Sequence, residues 1–309
     1  MKLLDVSGLQ VFFEVGGQIF PVVDKIELTL SEGECFVIAG ESGSGKSAFA
    51  MSLLGILPQN ARVRGAILFK GKSLLEFDAK SMRAVRGSGI GYVPQSSSTS
   101  LNPVLRIGTQ FHHVLRHSLN GAESSKAVTR ILQDLGLDDS VALMYPHQLS
   151  EGIKGRLLVG LVACLDPMLI IADEPTKGLD THSKEGILRI FERRVTQRGR
   201  SLIMITHDLD VAAWLPGRLG IMYAGEIVEW GPVPVVLGDD CCHPYTLGFL
   251  RSLPERDFIP IPGSCVGLLE RHTGCRFANR CSRADAVCKR QHPELRRVCE
   301  DHWVRCFHA

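Results

Sequence analysis

Residues 40 to 47 read Gly-Glu-Ser-Gly-Ser-Gly-Lys-Ser. In this spacing the glycines let successive backbone N–H groups turn inward around phosphate oxygens, and a helix opening at the lysine adds its positive end. Gly40, Glu41, Ser42, Gly43, Ser44 and Gly45 form the cradle, Lys46 is expected to reach the β- and γ-phosphates of a nucleoside triphosphate, and the Ser47 hydroxyl to coordinate Mg2+. An acidic pair, Asp173 and Glu174, ends the apolar run Met168 to Ala172. Asp173 fits a Mg2+ partner and Glu174 a group that orients or deprotonates the attacking water. His207 follows Ser-Leu-Ile-Met-Ile-Thr, where an imidazole could donate to the γ-phosphate, and Gln95 follows Gly-Tyr-Val-Pro, where an amide could touch both metal and water. Taken alone, a histidine after a strand is more often an ordinary surface or packing residue, and Gln95 is far more often a loop residue; the neighbouring motifs are what give both a role.

These groups need a frame of strand ends. Cys35 to Ala39 is an apolar strand before the loop, Ser47 to Leu54 continues as a helix, and the runs ending at Ala172 and Thr206 read as strands buried in a parallel sheet, at whose carboxyl edge ligands bind. Residues 1 to about 95 mix short strands, Val11 to Val15 and Lys25 to Leu30 among them, with the loop's helix. From about 100 to 160 the pattern is mainly helical, residues 121–137 carrying Ala127, Ile131, Leu132 and Leu135 as an apolar face. The chain then returns to alternating strand and helix, and Ala224-Gly225 suggests a hairpin turn.

At 309 residues the chain exceeds one domain of this kind, and its composition changes near Gly238, beyond which lie eight of the ten cysteines. A net charge of +2 is too small to argue for nucleic acid. The start lacks the basic-then-apolar pattern of a signal peptide, and no apolar run reaches the roughly 18 residues of a membrane span. The longest candidate, Leu157 to Ala172, is broken by Asp166 and Pro167. The expected place is the cytoplasm, with any membrane role arriving through a partner.

Together the motifs resemble the ATP-binding cassette (ABC) superfamily over roughly residues 1 to 238. Position by position, Gly40 to Ser47 match the Walker A loop, Gln95 the Q-loop glutamine, Leu149-Ser150-Glu151-Gly152 the signature, and Leu169 to Glu174 Walker B. Gly178-Leu179-Asp180 match the D-loop and His207 the switch histidine. The resemblance implies an α/β fold: a P-loop core, an antiparallel β subdomain, and a helical signature subdomain at about 97–160 that faces membrane subunits. Phe13 stands where the family stacks an aromatic on adenine, Phe12 being an equal candidate.

The tail, 239–309, resembles the Cys-rich C-terminal extension of ATPase subunits from peptide and nickel importers, some of which are associated with an iron-sulfur cluster. The matching residues are His243 to Pro254, Gly274 to Cys281, Cys288 and Trp303 to Cys306. By that resemblance Cys275, Cys281, Cys288 and Cys306 are a ligand set, with 5, 6 and 17 residues between successive members. Four thiolates suit a 4Fe-4S cluster or tetrahedral Zn2+, although neither the tight ferredoxin run nor the zinc-knuckle spacing is present. Free thiols and transient disulfides stay open too, stable disulfides being disfavoured in a reducing compartment. Arg276, Arg280 and Arg283 would offset thiolate charge or form an exposed basic face. Cys265 and Cys299 are substitute ligands, and the Cys241-Cys242 pair has no role that the family supplies.

One departure bears on mechanism: the family's signature is Leu-Ser-Gly-Gly-Gln, and here Glu151 replaces its first glycine and Ile153 its glutamine. In the family two cassettes pair head to tail, so Ser150 and Gly152 contact the γ-phosphate bound by the partner. A carboxylate beside that phosphate would cost on the order of 1–4 kcal/mol at about 4 Å, and almost nothing if it faced solvent. An asymmetric heterodimer follows as an expectation, with a complete ATP site on this chain and a weaker one on its partner. The resemblance further implies two transmembrane permease subunits, an extracytoplasmic substrate-binding protein, and a peripheral position on the cytoplasmic face of the membrane. The rival readings are a soluble non-transport cassette ATPase and a mainly regulatory subunit gated by its metal cluster. Whether the cargo is a peptide or nickel is not written in these residues.

Overall fold

The computed structural model describes residues 1–116, 119, 121–194, 198–238, 242–254, 256–265 and 273–309, the side chain of Ser98 excepted. They gather into two compact units. The first comprises Met1–Ser31, Cys35–Phe77 and Ile205–Ala309, the second Glu32–Glu34 and Asp78–Met204.

The chain opens in the first unit with two 14-residue strands, β1 (Lys2–Val15) and β2 (Gln18–Ser31). They run far beyond the short strands expected. Register shifts between Val6 and Leu9 and between Leu9 and Val11 interrupt the alternation, so one long bulged strand reads as fragments. The fully buried β3 (Cys35–Ala39) leads through the loop into α1 (Lys46–Leu54), and β4 (Ala61–Phe69) with β5 (Lys72–Ser73) completes an antiparallel sheet ordered β2-β1-β4-β5.

The second unit begins with α2 (Ala79–Val85) and β6 (Ile90–Val93), followed by α3 (Ser97–Ser100), α4 (Ile107–Leu115), α5 (Gly121–Asp134) and α6 (Glu151–Ala163). On α5 the buried positions are Ser124, Val128, Ile131 and Leu132, whereas Ala127, expected on the apolar face, is half-buried. β7 (Leu169–Asp173) lies parallel to β6, α7 (Thr181–Arg194) follows, and β8 (Ser201–Thr206) is buried throughout, its last two residues counted in the first unit.

Back in the first unit come α8 (Leu209–Trp214), β9 (Arg218–Tyr223), β10 (Glu226–Pro232) and α9 (Val233–Leu237). β9 is parallel to β3 and antiparallel to β10, and the turn between β9 and β10 has positive φ at both Ala224 and Gly225, the backbone of a tight two-residue hairpin. The tail adds α10 (Pro244–Arg251), α11 (Ala286–Arg290), β11 (Arg296–Cys299) and β12 (His302–Val304). β12 pairs with β10, and Trp303 stacks on Trp230 with ring centres 5.8 Å apart. No helix among the described residues is long and apolar enough to cross a membrane.

Candidate functional site

The loop between β3 and α1 is held by close packing. Gly45 has φ +101, and a Cβ there would lie 2.4 Å from Val22 O, so only glycine lets α1 begin at this point. The Lys46 side chain is almost fully buried, and its ammonium donates to Gly40 O and Glu41 O, both at 2.8 Å, and to Ser44 Oγ at 3.2 Å. Two carbonyl dipoles and a hydroxyl thus hold a cation at the mouth of the loop. Ser47 is half-buried in the first turn of α1, a turn that carries no acidic residue to compete with an incoming anion. These donors fit a polyphosphate with Mg2+. The exposed His207 follows β8 in the same unit, and Asp208 caps α8 by accepting from Asp210 N–H. On β1, Phe12 and Phe13 point to opposite faces of the sheet; Arg64 lies 5.4 Å over the Phe12 ring, while Phe13 pairs in register with Phe20 and Ala61.

In the second unit Asp173 ends β7, 2% exposed, and Tyr92 Oη donates to its Oδ2 at 3.3 Å. Burial first and the Asp173 charge second push the Tyr92 phenol above its ordinary range, so it stays a donor. Glu174 is also buried and adopts φ +51, a left-handed backbone that costs a non-glycine residue on the order of 1–3 kcal/mol and clusters at functional sites. Gln95 is exposed and lines a cavity with Glu151, Lys177, Gly178 and Leu179. Asp180 caps α7, accepting from Ser183 N–H at 3.0 Å, and that bond holds its carboxyl below the usual range.

Ser150 caps α6, its Oγ accepting from Ile153 N–H. Gly152 faces α7 so closely that a Cβ would stand 2.4 Å from Ser183 Oγ. Glu151 takes a third course between the two considered from sequence: half-exposed, its carboxylate accepts from Lys154 Nζ at 2.8 Å and from Ser97 Oγ at 3.1 Å. The ammonium one turn along offsets the carboxylate's field.

In the tail, Cys275, Cys281, Cys288 and Cys306 line one small cavity walled by Phe277 and Phe307. All four are free thiols. Burial, reinforced by the neighbouring sulfurs, pushes Cys275 up to about 11, and Cys281 and Cys288 are raised too. Thiolates gathered there need a cation to compensate them, which fits a metal site. Among the described residues no three of these sulfurs lie within 4.8 Å of one another, whereas a tetrahedral zinc with bonds of about 2.3 Å draws its sulfurs to roughly 3.8 Å. Cys265 and Cys299 are absent from the described lining. Cys242 N–H donates to Glu229 Oε1 at 2.8 Å, and Cys241 lies outside the described residues.

Two of the three arginines correct an expectation. Arg276 pairs with Asp24 and Glu226, Arg280 makes a two-pronged pair with Glu41, and Arg283 donates to His308 O. Arg276 and Arg280 are only 16% and 6% exposed. These two form no exposed basic face, because buried and half-buried carboxylates claim their guanidinium groups, whereas Arg283 is exposed and donates to a backbone carbonyl.

Several residues escaped the sequence reading. Tyr245 Oη accepts from Glu41 N–H at 3.0 Å and packs 4.5 Å from the Tyr223 ring centre. Glu229, wholly buried, accepts from Cys242 and His243 N–H and pairs with His302 Nε2 at 2.8 Å. His308 Nε2 lies 3.5 Å from Cys288 Sγ and 3.4 Å from Asp285. His243 caps α10, and burial lowers its pKa to about 3. The His-Pro order at 243–244 is a cap followed by proline at the first helical position, a signal that was available.

Comparison with known proteins adds three kinds of likeness. Residues 23–177 match the model of the ABC transporter family, and residues 228–288 that of the oligopeptide/dipeptide transporter C-terminal region. A protein of Brucella ovis bearing the name of a peptide import ATP-binding protein is 36% identical over 327 aligned positions, covering 99% of this chain and 96% of the relative. A similarly named protein of Brucella abortus is 37% identical, covering 94% and 90%. Among solved structures, cbiO1 from Clostridium perfringens, part of an ABC transporter complex, superposes with a TM-score of 0.66 at 26% identity over 78% of this chain and 92% of that one. The dimeric cassette MJ0796 with ADP and phosphate gives 0.68 at 24% over 75% and 99%, a likeness of fold.

Proposed function

The chain belongs to the ABC transporter family as the ATP-hydrolysing subunit of an importer, and from that premise we propose that its cargo is peptides. The ATPase part of this reading is carried by the buried Lys46 ammonium held over Gly40 O, Glu41 O and Ser44 Oγ at the start of α1, and the peptide cargo by the likeness of the tail to the oligopeptide/dipeptide transporter C-terminal region. Relatives named for peptide import, matched over nearly the whole chain, favour the importer over a soluble non-transport cassette ATPase. We read 1–238 as the cassette and 239–309 as its extension.

The residues divide the work as follows. Lys46 and the N–H groups of residues 40–47 bind the β- and γ-phosphates, and Phe13 the adenine. Ser47 serves Mg2+, as do Asp173 and Gln95; when bound, the ion neutralises charge on the phosphates. Glu174 orients the attacking water, and the imidazole of His207 donates to the γ-phosphate. Asp180 at the start of α7, with Ser150 and Gly152 at the start of α6, meets the nucleotide of a second cassette. The subunit works from the cytoplasmic face of the membrane with two permease subunits and an extracytoplasmic binding protein. ATP binding closes the cassette pair, and hydrolysis resets it.

The second cassette is a different chain, and the two ATP sites are unequal because Glu151 stands in the signature. Glu174→Gln in this chain and the equivalent change in its partner should then lower the ATPase rate unequally, and equal losses would refute the asymmetry. In the tail, Cys275, Cys281, Cys288 and Cys306 hold a 4Fe-4S cluster. Anaerobic purification with iron, zinc and sulfide analysis tests this: matched iron and sulfide support it, stoichiometric zinc alone overturns it. Reconstituted complex that hydrolyses ATP without moving peptide across vesicles would overturn the peptide assignment.

A further inference from the structure

Glu41 is the second residue of the phosphate loop, and the tail grips it twice. Its N–H donates to Tyr245 Oη at 3.0 Å, and its carboxylate receives both Nη groups of Arg280 at 2.9 and 3.1 Å. Its carbonyl is one of the acceptors that hold Lys46. Arg280 is no loose surface ion: its side chain is 6% exposed, its Nε donates to Pro262 O, and its guanidinium lies against the rings of Tyr223 and Phe277. It immediately precedes Cys281 in the single helical turn Ala278–Arg280, and Cys275 anchors the start of that segment by donating its N–H to Cys288 O at 2.8 Å. Phe277, between the two cysteines, also walls the thiol cavity.

We propose that Arg280 is a positioning residue through which the four-cysteine site sets the phosphate loop for nucleotide, the loaded site holding Arg280 on Glu41 and the empty site releasing it. This rests on the reading of the four thiols as a metal site. Joining Cys275 and Cys281 to one inorganic group fixes the backbone between them, so the two-pronged pair forms at little further entropic cost. Coupling of this kind is reciprocal in affinity: metal in the tail tightens ATP binding and ATP tightens the hold on the metal by the same factor, which is expected to show as slower loss to a chelator.

The test uses the full chain, metal-loaded and chelator-stripped, with equilibrium binding of MgATP and the rate at which a chelator removes the metal, followed by absorbance. Arg280→Ala is expected to weaken MgATP binding by about five- to fiftyfold in loaded protein and to abolish protection of the metal by ATP. Stripping the wild type should match that loss. Adding Glu41→Gln to Arg280→Ala should weaken binding no further, and Arg280→Lys should restore part of the affinity, outcomes that a merely structural arginine would not produce. If the loaded variant binds MgATP within roughly twofold of wild type, the two losses add, or ATP leaves the chelation rate unchanged, the coupling is wrong. A chain purified without iron or zinc overturns the metal reading and the coupling together; a metal-containing chain with unchanged affinity overturns the coupling alone.

Discussion

At Glu174 a buried carboxylate sits on a left-handed backbone directly after Asp173. Strain of this kind persists where the surroundings over-determine a residue. Glu174→Gln keeps the shape and removes the carboxylate proposed to act on the attacking water. Turnover should fall by about 10^2 to 10^4 while MgATP binding stays near wild type, a split read by comparing ATPase rate with equilibrium binding. Loss of binding in parallel with turnover would refute the role. The residues proposed to bind nucleotide could be singled out in the sequence because most stand at a strand end or helix start marked by a local pattern. Arg280 was not, since 239 residues separate it from Glu41 and no local pattern announces such a pair.

Two elements carry predictions of their own. Helix α10 begins with His243, whose Nδ1 accepts from Tyr245 N–H at 3.1 Å in full burial. Folded, the ring titrates near 3; unfolded, it titrates near 6.5. Above pH 6.5 neither state is charged, and between the two values only the unfolded chain carries the proton. Stability should therefore rise with pH across this window and be lost as pH falls from 6.5, by about 1.4 kcal/mol per unit from this group. Denaturant titrations at pH 7.5 and 5.5 check the slope, and His243→Asn, which can still cap the helix, should flatten it. In α6, Gly152→Ala would drive a methyl into Ser183 and cost about 1–3 kcal/mol, measurable as a lower unfolding midpoint. The helical pattern of α5 was visible from period alone, but its exact face was not: Val128 rather than Ala127 is buried, because the neighbouring α4 and not the sequence chooses the inward side. The bulges of β1 concealed a strand in the opposite way, by breaking a period that the backbone nevertheless continues.

Over the whole molecule, the cysteine-rich residues first look like an appendage, because the composition changes at Gly238. In the fold they share a unit with the phosphate loop: β12 extends the edge of β10, Trp303 covers Trp230, and Tyr245 and Arg280 reach Glu41. A chain ending at Gly238 should therefore expose the β10 edge and its tryptophan, and size-exclusion chromatography is expected to show it aggregated where the full chain is not. A monodisperse truncated protein with wild-type ATP affinity would argue that the tail is dispensable to the cassette. The interleaving also orders events during synthesis. Residues 78–204 leave the ribosome as one continuous stretch and can collapse at once, whereas the unit holding residues 40–47 must wait for β11 and β12. A nascent chain thus cannot complete the unit that holds residues 40–47 until its cysteine-rich tail has been made, so synthesis that stops early leaves that unit without the strand that covers β10.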